Sequence, residues 1–299
     1  MNRTIARAGL LVAVLAGPAS ADEDYHERLD AAPDGLVQIE NVAGEIEVRG
    51  TDASEVEVSA RLGEAVEELI FERDGDRILI KVEVRGGNGG WGWGSRDGSA
   101  ELQVSVPEAS DLRIEAVSSD ISVFAVNGRL GIESVSGDIE IASASPALEA
   151  TSMSGDVEFE GDGQTADAEI TSVSGDVTIR DIGGEVHATS VSGSVELSLG
   201  EVSRLRAQST SGDLSARVRL LADARVELET VSGEIELELG GARDGDYELS
   251  TFSGDLDNCF GPRAERRRYS PGRDLKFREG DGERDVRIST MSGSITLCD

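Results

Sequence analysis

One short motif recurs along most of this chain and limits what it can fold into. The central serine of each Ser-Gly-Asp-like copy is position zero, and the copies fall at Ser118, Ser136, Ser154, Ser174, Ser192, Ser211, Ser232, Ser253 and Ser292. The steps between them are 18, 18, 20, 18, 19, 21, 21 and 39 residues. A period near 20 residues is typical of a solenoid, in which each unit buries its apolar face only when a neighbour stacks on it.

Apolar residues alternate with a period of two on both sides of the motif. Positions +3 and +5 are mostly Ile, Val or Leu, and positions −6 and −4 follow the same rule, which predicts two strands per unit joined at the motif. Glycine at +1 suits a tight corner there. Counting forward from −6 places −2 inside, whereas counting back from +3 places −1 inside, at Val117, Val135, Met153 and Val173.

The sequence therefore predicts an all-β fold, a single-chain β-solenoid that is right-handed and β-helix-like, with coils of about 18 to 21 residues. The stretch "LVQIENVAGEIEVRG" follows the same plan with Ala43 at position zero and makes a tenth copy. An N-terminal coil and hairpin elaboration over 33–108 includes a hairpin that turns at Asp74-Gly75. The regular array then occupies 109–299.

The N-terminus has the pattern of an export signal. Arg3 and Arg7 precede the apolar run "AGLLVAVLAG" and a small-residue cleavage site, so we expect residues 1–21 to be a cleaved signal peptide and 22–299 the mature domain. An uncleaved anchor is the alternative, but the run is shorter than the roughly 20 residues that span a bilayer. We expect a periplasmic or secreted protein with no integral membrane segment after cleavage.

The charge balance excludes one class of partner. Without the signal, 26 basic and 59 acidic residues remain, a formal charge of −33. So acidic a chain repels nucleic acid and anionic lipid, and it lacks the basic stripe that nucleic-acid binding requires. The charge favours solubility and attraction of divalent cations.

Acidic residues at position +2 form a candidate cation site. Asp138, Asp156 and Asp176 belong to a column that stacking would align along one edge of the solenoid. Hard cations such as Ca²⁺ need several converging oxygens. The competing interpretation is turn chemistry, in which each carboxylate accepts from nearby backbone N–H groups. Serines at 194 and 294 interrupt the column, which favours the turn interpretation.

Two loops are candidate partner-binding segments. Trp91 and Trp93 lie among glycines in "RGGNGGWGWGSRDGS", so they are candidates for stacking on a glycan or a protein, or for packing against the solenoid itself. Arg266, Arg267 and Arg268 lie in "GPRAERRRYSPGR" and would meet either an acidic partner or the chain's own carboxylates.

The two cysteines occupy equivalent places in their repeats. Cys259 and Cys298 each lie at position +6, so stacking in register would put their Cα atoms about 4.8 Å apart, within reach of a disulfide. An oxidising compartment would favour the bond. We expect this bridge to clamp the last coil as a C-terminal cap.

Catalytic signals are weak. The two histidines, His26 and His187, stand in a polar lead and at an outward position, and neither belongs to a recognisable triad. A polysaccharide-cleaving β-helix enzyme remains the enzymatic alternative, although such enzymes need clustered acidic calcium ligands beside a basic catalytic residue. The sequence predicts a non-enzyme without a cofactor.

A family resemblance supports this interpretation. The leading "LVQIENVAGEIEV", the entry "VSVPEASDLRI" and the repeated "VSGD" units resemble the bacterial putative-adhesin family, a domain of unknown function with β-strand repeats. The resemblance covers about residue 33 to the C-terminus and implies a β-helix-like fold outside the cytoplasm. We therefore expect an adhesin-like or structural binding module of the cell envelope, with a glycan or protein as its partner. A calcium- or glycan-binding protein is the first alternative.

Overall fold

The structure is a computed structural model that describes residues 23–85, 98–266 and 272–299. These residues form strands and turns and no helix, so no helix among them is long and apolar enough to cross a membrane. The strands are β1 (Glu23–Asp30), β2 (Leu36–Thr51), β3 (Glu55–Leu62), β4 (Val66–Asp74), β5 (Arg77–Val84), β6 (Ala100–Pro107), β7 (Asp111–Phe124), β8 (Leu130–Ser136), β9 (Ile139–Ala142), β10 (Ala147–Ser152), β11 (Val157–Glu160), β12 (Thr165–Ser174), β13 (Val177–Arg180), β14 (Gly183–Ser192), β15 (Val195–Ser211), β16 (Leu214–Ser232), β17 (Ile235–Gly240), β18 (Gly245–Ser253), β19 (Leu256–Asn258), β20 (Glu265–Arg266), β21 (Arg273–Glu279), β22 (Arg284–Ser292) and β23 (Ile295–Cys298).

Each coil contributes one segment to each of two parallel ladders. The first ladder, made of the segments before the corners, has the order β5, β2, β7, β8, β10, β12, β14, β15, β16, β22 and β18. The second ladder has the order β6, β2, β7, β9, β11, β13, β15, β16, β17, β23 and β19. The predicted all-β solenoid is thus confirmed.

The repeat predicts the register between coils. Motif serines are direct neighbours in most stacked pairs of regular coils, as Ser174 and Ser192 are, and Ala43 lies beside Ser118 as the tenth copy requires. Antiparallel strands cover both ends of the stack: β4 pairs with β5 and β3 with β6 at one end, and β21 pairs with β18 at the other. This covering blunts exposed strand edges, which otherwise promote aggregation.

The stacking order departs from the chain order near the C-terminus. The coil of Ser292 does not lie outermost, because β22 and β23 insert between the coil of Ser232 and the coil of Ser253. The expectation that the last coil caps the solenoid was therefore wrong. The buried guanidinium of Arg284 fixes the start of the inserted strand by donating to the carbonyls of Leu220 and Asp244, at 3.2 to 3.3 Å.

A continuous apolar core runs through the stack from Val37 to Leu297. Every residue at position +3 is at most 3% exposed, which confirms the inward phase predicted for the second strand of each unit. At the C-terminal end, Tyr247 stacks on Phe277 with ring centroids 4.7 Å apart, and Phe260 meets Tyr247 edge-on. These rings close the core where the aliphatic coils end.

The inward phase can be tested with a matched pair of substitutions. Val177 is fully buried between Val157 and Val195, whereas Thr178 faces outward. Val177→Asn buries an amide without a partner and should lower the free energy of unfolding by about 3 kcal/mol. Thr178→Asn should change it by less than about 0.5 kcal/mol. Urea unfolding of both variants measures the difference, and equal losses would contradict the assigned phase.

Candidate interaction surface

Buried hydroxyl groups hold the corner of each coil. Position −2 carries a buried serine or threonine in most coils: Ser134, Ser152, Ser172, Ser190, Ser209, Thr230, Thr251 and Thr290. From Ser172 onward these hydroxyls donate to the glycine carbonyl of the neighbouring corner, as Ser190 Oγ does to Gly175 O at 3.2 Å, whereas the hydroxyl of Ser152 is buried without a partner. The corner therefore favours a small hydroxyl side chain at −2, and of the two phases that the sequence allows, the one that places −2 inside is the observed one.

The aspartates at +2 bind backbone rather than one another. The backbone N–H of Asp156 donates to Asp138 Oδ1 at 2.9 Å, that of Asp176 to Asp156 Oδ1 at 2.8 Å, and that of Ser194 to Asp176 Oδ1 at 2.7 Å. Each of these carboxylates thus serves the corner of the next coil. Within the described ranges, no three His, Cys, Asp or Glu side chains converge as metal ligands would.

The residues at position −1 point outward, so the phase that placed them inside the solenoid is wrong. Val117, Val135, Met153 and Val173 are 41 to 55% exposed rather than inside the solenoid. The alternation does not continue from +3 back through the corner, because the chain turns over the four residues between −2 and +3 and leaves the side chains at −1, 0 and +2 outside the core. Position −2 occupies the inward place instead.

These outward residues form a single apolar column, which we call the apolar ridge. It contains, in stacking order, Val42, Val117, Val135, Met153, Val173, Val191, Thr210, Val231, Met291 and Phe252. Ten large apolar side chains are exposed in the described part of the chain, and nine of them lie on this ridge. At about 4.8 Å per coil the ridge is about 43 Å long.

Acidic side chains border the ridge on both sides. Position +2 is acidic and exposed in eight coils: Glu45, Asp120, Asp138, Asp156, Asp176, Asp213, Glu234 and Asp255. Position −3 carries Glu40, Glu115, Glu133 and Glu229. The column pattern therefore produces an apolar line between two partly acidic lines.

A groove accompanies the N-terminal part of the ridge. It has a volume of about 470 Å³ and lies between the ridge residues Val42 to Met153 and the glutamates at −3. Lys81 lines its end and pairs with Glu40, Nζ to Oε2, at 3.6 Å. The negative field of Glu40 and the contact with Glu83 raise the pKa of Lys81, which keeps it charged.

The structure places the two cysteines side by side. Cys259 and Cys298 are joined as a disulfide with Cα atoms 5.0 Å apart. The pair links the outermost coil to the inserted coil, because β19 and β23 are neighbours. The other candidate partner-binding residues cannot be placed: Trp91, Trp93, Arg267 and Arg268 lie outside the described residues, and Arg266 is described only as the end of β20.

One Ser–His–carboxylate contact occurs on the surface. His26 Nδ1 lies 2.9 Å from Ser59 Oγ, and His26 Nε2 lies 3.4 Å from Glu57 Oε1. His26 and Ser59 are direct cross-strand neighbours in β1 and β3, so their register alone accounts for the contact. The histidine side chain is 57% exposed. Solvent at the imidazole weakens the electrostatic stabilisation on which a triad depends.

The fold and the ridge define a class, a β-solenoid that displays ordered columns of side chains along one edge. The chain belongs to the Toastrack DUF4097 family, whose profile matches residues 37–298. None of the curated proteins compared with the chain matches it.

The solved structures that match include three that are similar over 92% of this chain. A protein named a putative adhesin from Bacteroides fragilis NCTC 9343 is 10% identical, is covered over 97% of its length and has a TM-score of 0.41. One of the same name from Parabacteroides distasonis ATCC 8503 is 11% identical, is covered over 97% and has a TM-score of 0.41. A putative cell adhesion protein from Clostridium sporogenes ATCC 15579 is 8% identical, is covered over 99% and has a TM-score of 0.32.

Proposed function

We propose that this protein is a non-catalytic, extracytoplasmic binding module whose apolar ridge docks a basic amphipathic helix of a partner protein. The observation that carries the proposal is the concentration of exposed large apolar side chains in one column, nine of the ten in the described chain. Contiguous apolar surface of this kind, bordered by polar residues, is typical of interaction sites. The alternative of calcium binding by the +2 column is not favoured, because those carboxylates already accept backbone N–H groups.

Charge complementarity selects the partner. The ridge runs between partly acidic columns on a chain with a formal charge of −31, so a partner with basic flanks is attracted. A second copy of this chain would bring like-charged columns together. An anionic membrane surface would be repelled for the same reason. A protein segment that combines apolar and basic side chains fits both features of the surface.

The spacing of the ridge favours a helix over a strand. Successive ridge residues are about 4.8 Å apart. A helix laid along the solenoid axis presents an apolar side chain about every 5.4 Å. An extended strand in the same position presents one about every 6.8 Å. The helix therefore stays in step with the ridge over more coils, and its apolar side chains would enter the groove beside Val117, Val135 and Met153.

Export is the second part of the proposal. The signal-like residues 1–21 and the bonded pair Cys259–Cys298 both support a periplasmic or secreted location, because disulfides persist in oxidising compartments. On this view residues 22–299 are one mature domain. Cell fractionation with an antibody to the mature chain tests the location, and recovery of the protein from the cytoplasm with residues 1–21 intact would contradict it.

The docking surface can be tested with a defined peptide. We expect a fluorescein-labelled 18-residue helix of leucine and lysine to bind the exported protein, as measured by fluorescence anisotropy. Replacing Val117, Val135 and Met153 together by serine removes apolar contact area and should weaken binding at least tenfold. The melting temperature should stay nearly constant, because all three side chains are exposed.

Matched controls make the result specific. Leu221 is 39% exposed and lies off the ridge, so Leu221→Ser should leave the affinity within twofold. A leucine–glutamate peptide of the same length should bind much more weakly than the lysine peptide. Equal binding of the lysine peptide to the triple variant would refute the ridge as its site. Sedimentation tests a second occupant of the ridge. If the parent protein self-associates and the triple variant does not, the partner of the ridge is a second copy of this chain rather than a helix.

A further inference from the structure

A second surface, away from the ridge, collects positive charge in this acidic protein. The arginine groove is formed by Arg204, Arg206, Arg225 and Arg287, which face outward from β15, β16 and β22. It has a volume of about 280 Å³ and is also lined by His187, Glu227 and Asp285. Four arginines meet three carboxylates here, because Glu185 pairs with Arg204 in addition to the two that line the groove, so the groove keeps a small positive excess on a chain that carries −31.

The register makes two of these arginines direct neighbours. Arg204 lies beside Arg225 on adjacent strands, so their Cα atoms are about 4.8 Å apart. Like charges placed directly opposite each other destabilise a sheet. Arg204 is compensated by Glu185, Nη1 to Oε2, at 2.7 Å. Arg225 forms no ion pair with any carboxylate that the structure describes.

The carboxylates near Arg225 form ion pairs with other arginines. Asp285 is its direct neighbour on β22, yet this carboxylate pairs with Arg287 at 2.6 Å, Oδ2 to Nη2. Glu227 pairs with Arg206 at 3.4 Å. Arg225 thus has Arg204 on one side and, on the other, a carboxylate that already pairs with Arg287. It also lines an adjoining cavity of about 530 Å³ whose charged side chains have both signs.

We infer that the arginine groove is a binding site for a small sugar that bears an anionic group, a carboxylate or a phosphate. A guanidinium donates two parallel hydrogen bonds to either group, and neighbouring arginines reinforce that contact. A bound anion would also relieve the repulsion between Arg204 and Arg225. The volume of the groove is close to the lower limit of ordinary small-ligand sites, so it suits a single sugar ring. This site does not depend on the ridge.

Calorimetric titration at low ionic strength tests the site with three probes, glucuronate, glucose 6-phosphate and neutral glucose. We expect saturable binding of at least one anionic sugar and none of glucose. Arg204→Gln combined with Arg225→Gln should weaken that binding at least tenfold. Arg217→Gln is the matched control, because Arg217 is an exposed arginine that pairs with Glu238 outside the groove, and it should leave the affinity within twofold.

The outcomes separate the possible ligand groups. Binding of glucuronate alone identifies a carboxylate ligand, and binding of glucose 6-phosphate alone identifies a phosphate ligand. Arg225→Lys, which keeps the charge but loses the planar donor pair, should give an intermediate affinity. The free Arg225→Gln protein should melt no lower than the parent, since it loses one of two neighbouring like charges. No binding of either anion, or unchanged binding in the double variant, would overturn the assignment.

Discussion

Gly155→Ala is expected to lower the free energy of unfolding by about 4 kcal/mol. Gly155 occupies position +1 of its corner with φ at 133°, a conformation that side chains with a Cβ rarely adopt. An added Cβ would lie 2.2 Å from Gly137 O and 2.7 Å from Gly137 C, which are backbone atoms of the neighbouring coil. Neither can rotate away, so the two coils must separate. Chemical unfolding followed by circular dichroism measures the loss.

A second glycine separates the clash from the strain. Gly163 also has a left-handed backbone, with φ at 90°, but a Cβ there would meet nothing within 4 Å. Gly163→Ala should therefore cost only the conformational penalty of about 1 to 2 kcal/mol. A loss for Gly155→Ala no greater than that for Gly163→Ala would show that the close approach of neighbouring corners contributes nothing to the requirement for glycine.

The strands and their register could be predicted from the sequence because they follow from a periodic pattern. Val177 shows this directly, since its place three residues after a motif serine is enough to bury it. The phase across the corner could not be read in the same way. Between Ser172 and Val173, hydrophobicity alone would bury the valine, yet the structure buries the serine and exposes the valine. The hydroxyl of Ser172 lies 3.5 Å from the carbonyl oxygen of Gly155 in the adjacent corner, a polar contact that a valine side chain could not make.

The order of the coils was also beyond local reasoning. The motifs at Ser253 and Ser292 match the repeat equally well, so either coil could be the outermost one. The 39 residues between them are compatible with a long loop between coils stacked in chain order, or with a chain that returns to form a coil between two earlier ones. The chain leaves one place empty after the coil of Ser232 and fills it with β22 and β23. Arg284 contributes to this choice through contacts with Leu220 and Asp244, residues 64 and 40 positions away.

The two candidate surfaces differ in how visible they are in the sequence. The ridge has a clear signal, because an apolar residue recurs one position before the motif serine, but the alternation alone leaves open whether that residue or the one before it faces the core. The arginine groove has almost none, since Arg204 and Arg225 are 21 residues apart and become neighbours only through the register of β15 and β16. The side chains that share a surface on a solenoid therefore come from equivalent positions of successive repeats, which are far apart in sequence.

Removing the disulfide is expected to lower the free energy of unfolding by about 4 kcal/mol. Cys259 and Cys298 are 39 residues apart in sequence, and closing a loop of that length restricts the unfolded chain by roughly this amount on the chain-entropy model. The loop contains β21 and the inserted strand β22, so the bridge ties the inserted coil to the outermost coil that was placed before it. Unfolding of the oxidised protein with and without dithiothreitol measures the effect.

The variant with both Cys259→Ser and Cys298→Ser serves as the control. It should have the stability of the reduced protein and should not respond to dithiothreitol, because both lack the same covalent constraint. A cap on the outside of the stack would release only one coil on reduction. Here the released coil holds β16 and β18 apart, so its loss should expose both neighbours. Hydrogen exchange should therefore accelerate in β16, β17 and β18 together. Two results would contradict the prediction that the disulfide holds the inserted coil in place. One is accelerated exchange confined to β23, and the other is equal stability with and without reductant.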